Sequence, residues 1–170
     1  AVAAYLADKE NIQVIMTRSD DTFLSLEERT SFANQNNADY FVSLHRNTGE
    51  GNGVETWIRS DADDKTQALA KNIMDNLDAA GISRNRGVKK GTQKSESKDY
   101  YVNLHTNMPA CIVELGFMNS PTDNQLFDAN VENYAKAIGD AVLKTYEAYG
   151  KDGADATESV EDVPGTEGQI

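Results

Sequence analysis

A carboxylate set inside an apolar run constrains this chain more than any other feature. In Met108-Pro109-Ala110-Cys111-Ile112-Val113-Glu114-Leu115-Gly116-Phe117, an unbroken apolar stretch leads to Glu114, with Pro before it and Gly after it. A short run of that kind reads as a strand buried on both faces. A lone anion there carries a large desolvation cost, so Glu114 is expected to be paired, linked to a metal or protonated. Ligands of open α/β sheets bind beyond the carboxyl ends of the strands, which is where Glu114 is expected to lie. A strand-end Glu held by an Arg or a helix N-terminus is the plain alternative, and the strand pattern by itself leaves both open.

The remaining chain supplies a framework for such a strand. Residues 1–7 read as the later part of a helix and residues 12–17 as a strand. Ser25-Leu26-Glu27-Glu28 is a capping box, opening a helix that runs to about Asn36. Residues 39–45 read as a strand ending at His45, and Gly51-Asn52-Gly53 as a turn into a strand over 54–58. Leu69, Ile73, Met74 and Leu77 recur at helical spacing before Gly81. Residues 84–98 read as a basic loop and residues 100–104 as a further strand. Ser120-Pro121 starts a short helix through Phe127, and Tyr134, Ile138, Ala141, Val142, Thr145 and Tyr149 form the stripe of a last one. The expected fold is α/β: a single layered domain over residues 1–149 with a mostly parallel central sheet flanked by helices. Residues 151–170 carry six acids against one Lys and almost no large apolar side chain, so 150–170 reads as an acidic tail or linker.

Charge and composition narrow the function. A formal charge of −12 argues against general nucleic-acid binding and against docking on anionic lipid. No apolar run is long enough to span a bilayer. One cysteine rules out an intramolecular disulfide and a Cys-rich zinc site, leaving Cys111 as a small core residue. His45 and Glu114 each sit at the carboxyl end of an expected strand, so a parallel sheet places both on one rim. A neutral imidazole is a good zinc ligand, and a carboxylate beside a zinc-bound water can take its proton. Yet a catalytic zinc takes three protein ligands, and the chain offers only His45 and His105 as imidazoles, with no HExxH-like pair. The residues alone therefore reach an α/β domain with a His/Glu rim site, with a structural histidine as the alternative.

A series of motifs in order adds to this: Thr17-Arg18, Phe23-Leu24-Ser25-Leu26-Glu27-Glu28-Arg29, Ala33-Asn34, Ala38-Asp39, Ser43-Leu44-His45-Arg46-Asn47, Gly53-Val54-Glu55-Thr56, Arg86-Gly87-Val88-Lys89, the Met108 to Phe117 run, and Asn119-Ser120-Pro121. Over roughly residues 1–148 the chain resembles the zinc-dependent N-acetylmuramoyl-L-alanine amidases of the amidase-3 type, which trim bacterial peptidoglycan. The resemblance implies zinc as cofactor, His45 as a metal ligand, and Glu114 as the catalytic carboxylate for cleavage between N-acetylmuramic acid and L-alanine. By position it implies rim or substrate-side roles for Asn47 and Arg86. His105 reads as a substrate-side or structural group, and Arg18 and Glu55 as scaffold. It further implies a secreted cell-wall protein with peptidoglycan as partner and no membrane insertion. A monomer is expected, with room for a wall-binding module beyond the tail.

The sequence departs from that family twice. The family's first strand ends in a Gly-His-Gly-Gly loop bearing one zinc ligand, and a Glu before its first helix bears another; neither stands in these residues. The chain is therefore expected to lack the first strand, to hold zinc weakly or not at all, and to leave apolar sheet surface exposed. A non-catalytic peptidoglycan-binding relative is the alternative reading. Regulated relatives also carry a long helical insertion that blocks the site, whereas only residues 60–63 separate the Trp57-Ile58-Arg59 strand end from the next helix, so an open site is expected.

Overall fold

The apolar run around Glu114 is a strand, and the sheet is built on both of its edges. The computed structural model describes residues 1–150. Its elements are α1 (Val2–Ala7), α2 (Leu26–Gln35), β1 (Phe41–Asn47), β2 (Val54–Ile58), α3 (Asp64–Ala79), β3 (Asn85–Lys90), α4 (Tyr101–His105), β4 (Ala110–Phe117) and α5 (Pro121–Tyr149). The strand order is β1-β4-β2-β3. β4 runs parallel to β1 and antiparallel to β2, and β2 runs parallel to β3. The expected α/β layering is present, with a sheet that is mixed because β2 and β3 run opposite to the other pair.

Side chains alternate across a strand, so β4 serves two different surfaces. Cys111, Val113 and Leu115 point to one face, where they join Val54 and Ile58 of β2. α3 covers that face with Leu69, Ile73, Met74 and Leu77, and α5 with Tyr134, Ala137, Ile138 and Ala141. This is the main core. On the other face Ile112, Trp57 and Val102 of α4 form a smaller cluster, with Phe41 and Tyr100 against it. α4 covers only that end of the face, and the remainder, around Glu114, is open.

Several expected elements differ. The capping box at Ser25 is formed in both directions, and α2 follows as expected. Residues 12–17, however, form no strand. Their apolar pattern has no neighbouring strand to pair with, and an unpaired ribbon leaves its backbone groups to water. Residues 100–104 are a helix turn instead of a strand. Val102 enters the small cluster while the adjacent Asn103 donates from Nδ2 to the Trp57 carbonyl at 3.0 Å, and a strand would send neighbours to opposite faces. The basic segment 84–98 is not all loop, since 85–90 is β3, an edge strand carrying Arg and Lys as edge strands commonly do. The last two expected helices are one continuous α5, kinked at Asn130. The tail expected from residue 151 lies outside the described residues.

One buried carboxylate locks the sheet to α5. Asp123 is 4% exposed and accepts from the Gly53 amide at 3.0 Å, the Phe117 amide at 2.8 Å, and the Ser83 hydroxyl. Gly116, at φ +86°, allows this approach, because a Cβ there would meet Asp123 Cβ at 2.8 Å. Burial alone would raise the Asp123 carboxyl, but the bonds from Phe117, Ser83 and Gly53, with Arg46 nearby, outweigh it and hold the group below its usual value. Its stabilisation is therefore present above the unfolded value of 3.8 and is lost as pH falls through the lower folded one. Asp123→Asn is expected to cost roughly 3 kcal/mol at neutral pH. In urea melts the gap to wild type should narrow below about pH 4. A gap constant with pH would mean that ionisation of Asp123 is not what holds the clamp.

Candidate active site

Each strand contributes one polar side chain to a row across the open face. His45 on β1 is the register partner of Glu114 on β4. Glu114 is in turn the register partner of Glu55 on β2. On β3, Arg86 donates from Nε to Glu55 Oε2 at 2.8 Å. Glu114 is not the last residue of its strand as expected, since Leu115, Gly116 and Phe117 follow it in β4. The pair expected on a rim is thus side by side on the sheet surface.

Glu55 is the fixed point of the row. It is 2% exposed, yet it lies in a strand whose other residues are buried as well. Its cost of burial is met by Arg86, by Asn47 Nδ2 at 3.0 Å and by Trp57 Nε1 at 3.1 Å, the last two on Oε1. Arg86 is itself positioned on three sides. Glu55 holds its Nε, the Phe117 ring lies 5.1 Å from the guanidinium carbon, and Gly53 leaves room for its stem, since a Cβ there would come within 3.0 Å of Arg86 Cγ.

Glu114 has no such support. Its Oε2 is buried with no hydrogen-bond partner among the described residues. Burial first, and then the neighbouring Glu55 charge, push its carboxyl above the usual range. A carboxyl in that condition holds a proton more readily than an exposed glutamate, which suits it to proton transfer. His45 is exposed, with Ser43 Oγ 2.8 Å from Nε2, so that Nδ1 is the ring nitrogen without a hydrogen bond among the described residues. Desolvation of the ring, then Arg29 and Arg18, keep the imidazole below its ordinary value and hence neutral at pH 7.

The other expected residues divide. Asn47 is buried and belongs to the Glu55 network, so it supports the row from beneath. Arg86 joins the row. His105 does not: it ends α4, stacked 4.0 Å from Tyr101, and its carbonyl accepts from Asn34. Arg18 is exposed and donates to the Thr22 carbonyl at 3.2 Å. Sequence reasoning assigned Glu55 to the scaffold and passed over Trp57, Ser43 and Asp123. A signal for Glu55 was present, because a carboxylate two residues before a Trp in a fully buried strand must find donors on the same face.

The described residues do not by themselves build a zinc site. Among them no group of three His, Cys, Asp or Glu side chains is placed to hold a metal. Of the row, His45 is the candidate ligand and Glu114 the candidate catalytic carboxylate, which leaves it two short of the three protein ligands that a catalytic zinc takes.

A family model described as N-acetylmuramoyl-L-alanine amidase matches residues 1–144. The chain is 35% identical over 155 residues to YqiI of Bacillus subtilis, an uncharacterized protein, covering 88% of this chain and 71% of that one. It is 31% identical over 143 residues to the N-acetylmuramoyl-L-alanine amidase CwlM of Bacillus licheniformis, covering 83% of this chain but 54% of CwlM. Among solved structures, an N-acetylmuramoyl-L-alanine amidase from Clostridium difficile 630 superposes with a TM-score of 0.79 at 30% identity, covering 88% and 80% of the two chains.

The ion pair under the row gives an ordered prediction. Arg86→Ala leaves Glu55 buried without its cation and is expected to cost roughly 3 kcal/mol. Glu55→Gln keeps an acceptor for Asn47 and Trp57 and should cost less. The double substitution Glu55→Gln/Arg86→Ala should recover part of the single Arg86→Ala loss, read by chemical denaturation. Strict additivity of the two would contradict a coupled pair.

Proposed function

We propose, for a chain that belongs to the N-acetylmuramoyl-L-alanine amidase family, that its open sheet face hydrolyses the amide bond between N-acetylmuramic acid and the L-alanine of the peptidoglycan stem peptide. The observation that carries this reading is the Glu114 carboxyl, with one buried oxygen lacking a partner and a neutral imidazole in register beside it. Amide hydrolysis needs a group that removes a proton from the attacking water and delivers it to the departing nitrogen. Glu114 does both: it takes the proton as the water oxygen bonds to the lactyl carbonyl carbon, then gives it to the L-alanine nitrogen as the C–N bond breaks. Its raised proton affinity suits the second half of that task.

The family is zinc-dependent, and the reading includes zinc with His45 as one ligand. When bound, zinc supplies a Lewis acid for the carbonyl oxygen and lowers the pKa of its water. The described residues fall short of a full ligand set. Asn47 serves as support for Glu55, Arg86 as a substrate-side group, and residues 1–149 as the catalytic domain. The setting is the bacterial cell wall, outside the membrane, with peptidoglycan as partner. No described helix is long and apolar enough to cross a membrane. The short residue 60–63 connection carries no plug over the face, in keeping with an open site.

A second reading, a relative that binds peptidoglycan without cutting it, draws on the incomplete ligand set. Zinc titration and a cleavage assay separate the two. With zinc supplied, Glu114→Gln should reduce cleavage of a muramoyl–L-alanine peptide by about 10³-fold. The same substitution should leave the melting temperature unchanged or raised, because it removes a half-buried charge beside the like charge of Glu55. His45→Ala should weaken zinc binding at least about tenfold. Wild type that binds peptidoglycan but cleaves nothing in saturating zinc would favour the second reading.

A further inference from the structure

We propose that Arg86 anchors a carboxylate of the stem peptide, which runs from Glu114 toward β3 across Glu55. This inference rests on the reading above and adds what the site recognises on the peptide side of the scissile bond.

The argument begins with the guanidinium. Arg86 spends its Nε on Glu55 and its face on the Phe117 ring. The terminal Nη1 and Nη2 donate to none of the described residues, and the side chain is 29% exposed. A guanidinium gripped from below and from the side, with its outer fork free, is a preorganised receptor for a planar anion. Support of the Arg by one buried carboxylate leaves room for a second, because the fork and the Nε edge present separate donors. Glu55 thus acts as a positioning residue for Arg86.

The surroundings agree in sign. The chain has a formal charge of −12, yet residues 84–98 hold Arg84, Arg86, Lys89, Lys90, Lys94 and Lys98 with Glu96 as their only acid. Lys89 is the register partner of Trp57, which places it on the open face beside Arg86's neighbours. β3 is the outermost strand on this side, so the positive edge borders the face directly. Such a local field in an acidic protein draws an anion to one side of the row.

Spacing then selects the position. Neighbouring strands lie about 4.8 Å apart, and β4 and β3 are separated by β2, so Arg86 is about 10 Å from Glu114 across the sheet. An extended peptide advances about 3.4 Å per residue. With L-alanine first, two residues span about 7 Å and the second residue's carboxyl arm covers the rest, so the carboxylate that reaches Arg86 belongs to the second residue. An acidic residue there is bound, and an amidated one is discriminated against.

The test reads binding without cleavage. Isothermal titration of the protein, without added metal, would compare N-acetylmuramoyl-L-alanyl-D-glutamate with the same compound amidated at both glutamate carboxyls. The acid should bind about tenfold tighter or more. In Glu55→Gln/Arg86→Gln, which replaces the ion pair by a neutral amide pair, the ratio should fall to about one. In Arg86→Lys, which keeps the charge and the Glu55 contact, a preference of a few-fold should remain. Equal affinity of wild type for acid and amide would overturn the proposal, as would binding of neither or a ratio unchanged in the double variant. A wild-type protein that shows the Arg86-dependent ratio yet cleaves nothing in zinc would overturn the hydrolysis and leave this anchor standing.

Discussion

The pairing of Arg86 with Glu55 beneath the open face is the interaction on which the rest of the site depends. It joins β3 to β2 through a 2.8 Å charged hydrogen bond and gives a buried carboxylate its counter-charge. Without it, the two carboxylates in register on β2 and β4 could not both be accommodated. At an effective dielectric of about 20, two like charges about 5 Å apart repel by roughly 3 kcal/mol, and a close Arg–Glu pair gains roughly 4. The attraction therefore covers the repulsion, and the residual strain falls on Glu114, the member without a cation. Its proton affinity rises, first through burial and then through the Glu55 charge. Charge compensation and raised proton affinity are thus divided between neighbouring glutamates by one arginine.

The sheet makes this division possible by giving its faces unequal cover. α3 and α5 close one face with a continuous apolar layer, so the strands are held whether or not the other face is filled. On the second face α4 reaches only Trp57 and Ile112, and α2 packs against α4 instead of extending the cover. Asp123 finishes the arrangement from the far end of β4, tying Phe117 and Gly53 to the start of α5. The Phe117 ring then lies beside Arg86, so the clamp and the ion pair share one residue, the first through its amide and the second through its ring.

Much of this was legible in the residues. The run 110–117 announces a buried strand with a carboxylate in it, and the Ser25 capping box and the α3 stripe specify their helices through local chemistry. Local chemistry is also where the legibility ends. Residues 12–17 have the composition of a strand, but strand formation needs a partner edge that no local pattern supplies. Residues 101–105 have strand-forming side chains and are helical because two adjacent ones, Val102 and Asn103, must both be buried. His45 and Glu114 could be joined from sequence because a parallel pairing was expected. Glu55 could not, since its place opposite Glu114 depends on the antiparallel register of β2. Arg86 was recognisable as a motif position, but its role follows from contacts 31 residues apart in the chain.

The central claim is that Glu114 is held as a proton-exchanging carboxyl by burial and by Glu55 at its side. Site-resolved carbon NMR of the Glu114 carboxyl through a pH titration measures it directly. The account predicts a midpoint above the reference value of 4.5, moving back toward it in Glu55→Gln while remaining raised by burial. A midpoint at or below 4.5 in wild type, or one indifferent to Glu55→Gln, would contradict it.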